Sequence, residues 1–173
     1  MHAAHYAVGL VIKSRVPEAP TAALMFGVFV PDFVWTVLAL AGVEPAQPDV
    51  FFDDWSHSLM MCVLWASVFS FCFRARGRRV AIALWLAVMS HFVLDMLTHR
   101  KDLALYPHSS LHLGLGLWSI SIGPVRTWWI ELAVVIALSL VYIRGALKAG
   151  MAWRKVAWSA GYVFAYHILL APV

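Results

Sequence analysis

Histidine and aspartate side chains recur at helical spacing in the run S-H-F-V-L-D-M-L-T-H-R-K-D-L, residues 90–103. His91, Asp95 and His99 are spaced i, i+4 and i+8, and Asp102 returns to nearly the same direction at about 3.6 residues per turn. One helix face therefore carries four potential ligands. Imidazole and carboxylate without thiolate suit zinc, manganese or iron. We expect a divalent metal, zinc first, although such pairs can also simply hydrogen-bond along a helix.

Two further signals place ionisable groups beside apolar stretches. In V-P-D-F-V-W, residues 30–35, a proline precedes Asp32 in the middle of an apolar segment, where a buried carboxylate is usually functional. In D-D-W-S-H-S-L, residues 53–59, Ser56 reads as a helix N-cap and His57 as the first helical residue at the mouth of a bundle. His5, in the N-terminal apolar piece, is a third candidate.

The composition indicates that these segments are surrounded by lipid and not by water. The 173-residue chain is 62% hydrophobic and 13% charged, too apolar for a soluble domain. Its net charge of +4 comes from short basic clusters beside apolar runs, which is typical of membrane topology signals and not of nucleic-acid binding. Cys62 and Cys72 have no metal-binding spacing. We expect an integral membrane protein whose partners are lipids, with a homo-oligomer or larger membrane complex possible.

Apolar runs predict an all-α, polytopic fold that forms a single membrane-embedded domain over 1–173. Five runs are about long enough to cross a bilayer, and they cover residues 21–43, 57–73, 79–98, 125–144 and 154–171. Residues 2–12 are too short to span, which predicts a re-entrant or interfacial helix. Pro31 is expected to kink the first span.

Basic residues predict the orientation of these spans. The densest cluster, Arg74 to Arg79, lies in the turn between the second and third spans, and the positive-inside rule places it in the cytoplasm. The N-terminal side is then cytoplasmic, while the loops 44–56 and 99–124 and the C-terminus face outward. The expected location is the bacterial inner membrane.

Ionisable residues inside the spans fall at similar depths. A rise of about 1.5 Å per residue puts four of them roughly 16–20 Å into the membrane: Asp32, His91, Glu131 and His167. His5 reaches this level if residues 2–12 re-enter, and Asp95 and His57 lie about one turn further out. Each unpaired charge there costs about 2.5–3.5 kcal/mol, and no lysine or arginine is at that depth. A bound metal offsets this cost; the alternative is a set of protonated acids hydrogen-bonded to neutral histidines.

The order of these residues resembles the family of membrane-bound metal-dependent hydrolases. The matching positions are His5, Pro31, Asp32, Ser56, His57, Ser58, His91, Asp95 and Thr98. The chain is also similar to a sub-group with P-D-x-x-W, S-H-S-L, H-R-x-D-L and G-L-G-L-W, matched here by Trp35, His99, Arg100, Asp102, Leu103 and Gly114 to Trp118. A fainter similarity in ligand types links it to zinc-dependent phospholipase C.

The resemblance implies a hydrolase acting through a metal-activated water. His5, Asp32, His57, His91 and Asp95 would hold the metal, and lipids or lipid-linked phosphoesters are the expected substrates because the site opens in the outer half of the bilayer. Three further residues are expected to take part in catalysis or to bind a second metal: His99, Asp102 and Glu131. One alternative is a non-enzymatic subunit or ion-handling protein with a structural metal or a proton relay. Another is haem held by His91 with His5 or His167.

Overall fold

The computed structural model describes residues 2–44, 46–47, 50–99, 101–116 and 123–171, and its class is all-α, as the sequence predicts. The helices of the described ranges are α1 (His2–Arg15), α2 (Thr21–Gly27), α3 (Val30–Leu40), α4 (Asp54–His57), α5 (Leu59–Phe71), α6 (Arg78–Thr98), α7 (Gly123–Lys148) and α8 (Trp153–Leu169). A short 3₁₀ turn, Arg74–Arg76, separates α5 from α6.

Two small antiparallel hairpins lie in the connections that the sequence places outside the membrane. β1 (Ala46–Gln47) pairs with β2 (Val50–Phe51), and β3 (Leu103–Ala104) pairs with β4 (His112–Leu113). After β4 the chain returns to the end of α6, where Leu115 donates to the Met96 carbonyl and Gly116 to the His99 carbonyl. This agrees with an irregular segment over the bundle mouth, although Leu117 and Trp118 lie outside the described residues.

The N-terminal helix is a central element of the bundle. α1 buries Ala3, Ala4 and Ala7 against Val135 and Tyr142 of α7. The two helices approach closely at their other ends, where a Cβ on Gly145 would come within 2.6 Å of the Ser14 hydroxyl. Small residues permit such contacts between helices in membranes. The sequence predicts a re-entrant or an interfacial helix at residues 2–12. The interfacial alternative is wrong, because small side chains allow this segment to pack inside the bundle.

The number of spans is smaller than the sequence suggests. In the described ranges, two helices are long and apolar enough to cross a membrane, Arg78–Thr98 and Thr127–Lys148, and a third span is possible if Thr21–Gly27 and Val30–Leu40 count as one bent helix. α5 is a shorter apolar helix, and α8 has 17 residues. Of the five predicted spans, only two or three are therefore clearly long and apolar enough in the described residues, because apolar length alone does not reveal where a helix breaks or ends.

The break between α2 and α3 turns the chain by 57°. Pro31 lies in the first turn of α3, where its missing N–H costs no helical hydrogen bond. A continuous helix would bring the proline ring against the carbonyl of Gly27, four residues earlier, and α2 ends at that residue. The kink expected from Pro31 is thus present, as a complete interruption of the helix.

We expect the Arg74–Arg76 turn and the loop that contains Ser110 to lie on opposite sides of the membrane. Arg76→Cys and Ser110→Cys would be made in a Cys72→Ser background, because Cys72 is exposed whereas Cys62 is buried. An impermeant maleimide applied to intact spheroplasts should label position 110 and reach position 76 only after permeabilisation. Labelling of both positions from one side would show that the orientation is wrong.

Candidate metal centre

Four helices bring three histidines and two aspartates into one cluster. His5 comes from α1, Asp32 from the first turn of α3, His57 from α4, and His91 and Asp95 from α6. They form two groups that share His91, one with Asp32 and His57 and the other with His5 and Asp95, and the ligand atoms within each group all lie within 4.8 Å of one another. The structure thus brings together all five residues expected to hold a metal.

The separations between these nitrogens and oxygens match those of ligands around one small cation. His91 Nε2 lies 3.0 Å from Asp95 Oδ2 and 3.5 Å from Asp32 Oδ1. His57 Nε2 lies 3.3 Å from Asp32 Oδ1, and His5 Nε2 lies 3.4 Å from Asp95 Oδ1. Tetrahedral zinc with bonds of about 2.0–2.1 Å requires ligand atoms about 3.3 Å apart. The cluster is therefore of the right size for such an ion.

The orientation of His91 is set by a backbone carbonyl. Its Nδ1 is 2.7 Å from the carbonyl oxygen of Val28, and because a carbonyl can only accept, Nδ1 must carry the proton. In the neutral ring the lone pair is then on Nε2. That atom is buried and has no well-oriented hydrogen-bond partner among the described residues, even though Asp95 Oδ2 is nearby. A buried Nε2 atom that faces carboxylates needs a cation between them, either a proton or a metal ion.

His57 is held in the same tautomer by Ser56. The Ser56 hydroxyl donates its proton to the Asp53 carbonyl, 3.0 Å away. It must therefore accept from His57 Nδ1, which is 2.7 Å away. The neutral ring of His57 thus also presents a lone pair on Nε2, and it faces Asp32. An outer hydrogen bond of this kind is the usual way in which proteins orient a metal-ligating histidine.

The two histidines at the other side of the cluster are stacked. The rings of His5 and His91 lie 4.2 Å apart, with 13° between their planes, and both side chains are almost fully buried. Two imidazolium ions in that arrangement would repel each other, which disfavours a purely proton-based pairing of every histidine with an acid. The stacking also leaves no space for a porphyrin between the rings, so the interpretation of His5 and His91 as axial haem ligands is wrong.

These observations favour a divalent metal over the other ligand classes. Three imidazoles and two carboxylates without thiolate suit zinc, manganese or iron. Two histidines whose Nε2 atoms face carboxylates, together with the spacing of the donor atoms, fit such an ion. An ion near His91 Nε2 would have Asp32 and His57 on one side and His5 and Asp95 on the other.

His99 and Asp102 extend the cluster beyond the end of α6. His99 Nε2 lies 4.0 Å from Asp95 Oδ1, and His99 Nδ1 lies 3.7 Å from Asp102 Oδ1. The hydrogen bond to the Asp102 carboxylate raises the pKa of His99, while burial acts in the opposite direction. His99 thus connects a residue of the cluster to a half-buried carboxylate at the outer mouth. Arg100 of the same motif lies outside the described residues.

Glu131 lies outside the cluster of histidines and aspartates. Its Oε1 accepts hydrogen bonds from the backbone N–H groups of Ala3 and Ala4, at 3.0 and 3.3 Å. A carboxylate at that position satisfies orphan donors of the first turn of α1 and favours its positive dipole end. The described contacts of Glu131 therefore stabilise the helix that carries His5, and none of them reaches the histidines of the cluster. His167 is also separate, buried and stacked on Trp128 at 4.6 Å.

Sequence reasoning missed the groups that hold His57 in place. Ser56 and His57 belong to the four-residue helix α4, and the N-cap of the following helix is Ser58, so the prediction of Ser56 as N-cap is wrong. The buried carboxylate of Glu44 accepts from the N–H groups of Trp55 and Ser56 at 2.7 and 3.1 Å. Nothing in the local sequence links Glu44 to a helix eleven residues later, because the connection depends on the β1–β2 hairpin.

Comparison with known proteins identifies the family of this chain. A sequence model of the YdjM inner membrane protein family matches residues 2–173, nearly the whole chain. A YdjM-type membrane protein falls in the family of metal-dependent hydrolases, which agrees with the resemblance drawn from the His and Asp motifs. No curated protein and no solved structure gives a significant match.

Glu131→Ala should destabilise the protein by about 1 kcal/mol, the usual effect of losing a helix N-cap. Glu131→Gln should cost less, because it keeps an acceptor oxygen but loses the charge that interacts with the helix dipole. The measurement is the melting temperature in detergent. Glu18→Gln is the control, because Glu18 is an exposed carboxylate in a surface ion pair with Arg79. A Glu131→Ala protein that melts with the wild type would contradict the cap.

Asp53 should make stability depend on pH. Burial raises the pKa of its carboxyl from 3.8 to about 6, with His57 opposing the shift and Asp102, Glu44 and His99 as the other charged neighbours. The folded protein then holds this proton more tightly than the unfolded chain does, so stability falls as pH rises from about 4 to about 6 and stays reduced above that.

Asp53→Asn removes this titration. The variant should therefore melt at an increasingly higher temperature than the wild type as pH rises from 4.5 to 7. The corresponding gain in unfolding free energy is roughly 3 kcal/mol at most. Glu18→Gln serves as the surface carboxylate control. A constant difference across this range would show that Asp53 ionises normally in the folded state.

Proposed function

This chain belongs to the YdjM inner membrane protein family, and we propose that it is a membrane-embedded, metal-dependent hydrolase. The observation that carries the proposal is the pair of histidines His57 and His91. Their Nδ1 atoms donate to other acceptors, while their Nε2 atoms face the carboxylates of Asp32 and Asp95. Such fixed tautomers around two carboxylates are typical of a catalytic or structural metal site.

The residues proposed to bind the metal are His5, Asp32, His57, His91 and Asp95, with zinc as the first choice and manganese or iron as alternatives. When bound, the ion would polarise a phosphoryl or carbonyl oxygen and lower the pKa of a coordinated water towards about 7. Of these residues, Asp32 is the most exposed, with 39% of its side chain accessible, whereas the Asp95 side chain is 7% accessible. Substrate would therefore approach from the Asp32 side, and Asp95 would act mainly in holding the ion.

His99 and Asp102 are proposed as the proton-transfer groups. His99 contacts Asp95 on one side and Asp102 on the other. Asp102 raises the pKa of His99, which favours the protonated imidazole, the form that can give a proton to a leaving oxygen. The sequence also suggested Glu131 as a catalytic residue. In this proposal Glu131 contributes only by stabilising α1, the helix that carries His5.

A lipid or lipid-linked phosphoester is the proposed substrate class. The outer connections around the cluster carry exposed apolar side chains, including Trp55, Tyr106, Leu111 and Leu115. Apolar side chains around a polar cluster suit an amphiphile whose headgroup reaches the metal while its chain stays in lipid. Following the positive-inside rule, we propose a cytoplasmic N-terminal side and a C-terminus outside the inner membrane. This orientation requires the shorter helices α5 and α8 to complete the crossings that the two or three longer spans leave open.

A second candidate function is a proton relay or structural metal in a non-enzymatic membrane subunit. It is favoured by the continuity of the polar contacts, which run from Asp102 through His99 and Asp95 to His91, and on through Asp32 to His57. Such chains of His and Asp are also found in proton pathways of membrane proteins. Metal retention and turnover distinguish the two functions.

Asp95→Asn should lose the metal, whereas His99→Ala should keep it and lose turnover. Asp95 contacts both His5 and His91, so its neutralisation removes the negative charge at the centre of the site. His99 lies at the helix end, 26% of its side chain is accessible, and water can replace it. Metal content by elemental analysis and turnover of phosphodiester, phosphomonoester and ester lipids would be measured for both variants.

His112→Ala is the matched control for His99→Ala, since His112 is an exposed histidine of the same connection. It should leave metal content and turnover unchanged. Full metal retention in Asp95→Asn would overturn the ligand assignment. A metal-loaded wild type that hydrolyses none of these substrates would favour the relay or structural function.

A further inference from the structure

A second polar cavity lies at the opposite end of the bundle from the outer hairpins. It has a volume of about 660 Å³ and is lined by the end of α1, the start of α2 and the start of α8. The charged side chains around it are Lys13, Arg154 and Lys155, and the described lining includes no aspartate or glutamate. The hydroxyl groups of Thr21 and Ser159 add hydrogen-bond donors. The cavity is therefore cationic and rich in donors.

These cations are held close together. Lys13 is fixed by two hydrogen bonds from its ammonium group to the carbonyls of Pro17 and Ala19, each 2.7 Å long. Two charges act on Lys13, those of Glu18, which attracts it, and of Lys155 from the distant helix α8, which repels it. Glu18 does not line the cavity. The positive-inside rule requires only that basic residues lie in cytoplasmic loops. It does not explain why these basic side chains surround one cavity. An anion that binds between them supplies that explanation.

Tryptophans indicate where the cavity lies relative to the bilayer. Trp158 lines it and is 78% exposed, and Trp153, at the start of α8, is 60% exposed. Exposed tryptophans in membrane proteins concentrate at the level of the lipid headgroups. The positive end of the α8 dipole also points towards this level. The cavity thus has the height and the charge at which a phosphate headgroup would be found.

We propose that this cavity binds the phosphate headgroup of an anionic phospholipid from the cytoplasmic leaflet. Lys13, Arg154 and Lys155 would contact the phosphate, Thr21 and Ser159 would donate to the headgroup, and Trp158 would pack beside the glycerol. Basic pockets between membrane helices on the cytoplasmic side are suited to such headgroups. This site is separate from the metal cluster and does not depend on the hydrolase function.

The test is lipid binding by full-length protein in detergent, followed by thermal shift and native mass spectrometry. The probes are phosphatidylglycerol, phosphatidylcholine and inorganic phosphate. Wild type should be stabilised by phosphatidylglycerol and not by phosphatidylcholine. The double variant Arg154→Gln, Lys155→Gln should bind phosphatidylglycerol roughly 30-fold more weakly, if each cation contributes about fivefold. Lys13 is left unchanged because its hydrogen bonds to Pro17 and Ala19 support the fold.

The control is Arg76→Gln, Arg78→Gln, which removes the same charge from exposed positions at the start of α6. It should bind phosphatidylglycerol as wild type does, and both double variants should retain the metal content and lipid-free melting temperature of the wild type. If the control loses as much affinity for phosphatidylglycerol, the binding would be explained by general attraction to positive charge and not by this cavity. Equal stabilisation of wild type by inorganic phosphate would identify a soluble anion site instead, and no preference for phosphatidylglycerol would refute the proposal.

Discussion

Two carboxylates placed among apolar helices, one buried and one partly accessible, are the constraint on which the rest of the structure depends. Asp32 and Asp95 have only histidine nitrogens within ion-pair distance among the described residues. Without lysine or arginine, their charge must be balanced by protons on the histidines or by a metal. The fixed tautomers of His57 and His91 and the stacking of His5 on His91 favour the metal. The folded arrangement of the bundle can therefore be understood as a means of holding these five side chains at one point.

Each supporting contact acts on a helix end, where unpaired backbone groups are available. Glu131 satisfies the first N–H groups of α1, and Glu44 satisfies those at the start of α4. Neither residue touches the metal cluster, but each fixes the helix that carries one of its histidines. Because helix termini leave donors and acceptors unused, they offer a way to add hydrogen bonds near a buried site without placing more charge within it.

The sequence was most informative where one helix carries several ligands. His91 and Asp95 could be recognised from their spacing on α6, which ends just before His99. The depth argument put His91 at the level of Asp32 and His5, and the structure places both near it. The same estimate also placed Glu131 and His167 at that depth, yet the structure separates them, since depth fixes only one coordinate and not the face of the helix. The roles of Glu44 and Asp53 depend on the hairpin fold of residues 44–53, which no local pattern specifies. Counting apolar residues likewise could not show that α2 and α3 are separate helices.

The break before α3 connects the proline to the chemistry of the site. In an uninterrupted helix the carbonyl of Val28 would accept a hydrogen bond from the N–H of Asp32, four residues later. Because Pro31 forces the helix to end and restart, that carbonyl is left without a helical partner and instead accepts the Nδ1 proton of His91. The same restart places Asp32 in the first turn of α3, where the positive dipole end favours a carboxylate. One proline thus frees the acceptor that orients a histidine and positions the aspartate that this histidine faces, which explains why the P-D pair and the histidine of α6 act as one unit although they are far apart in the chain.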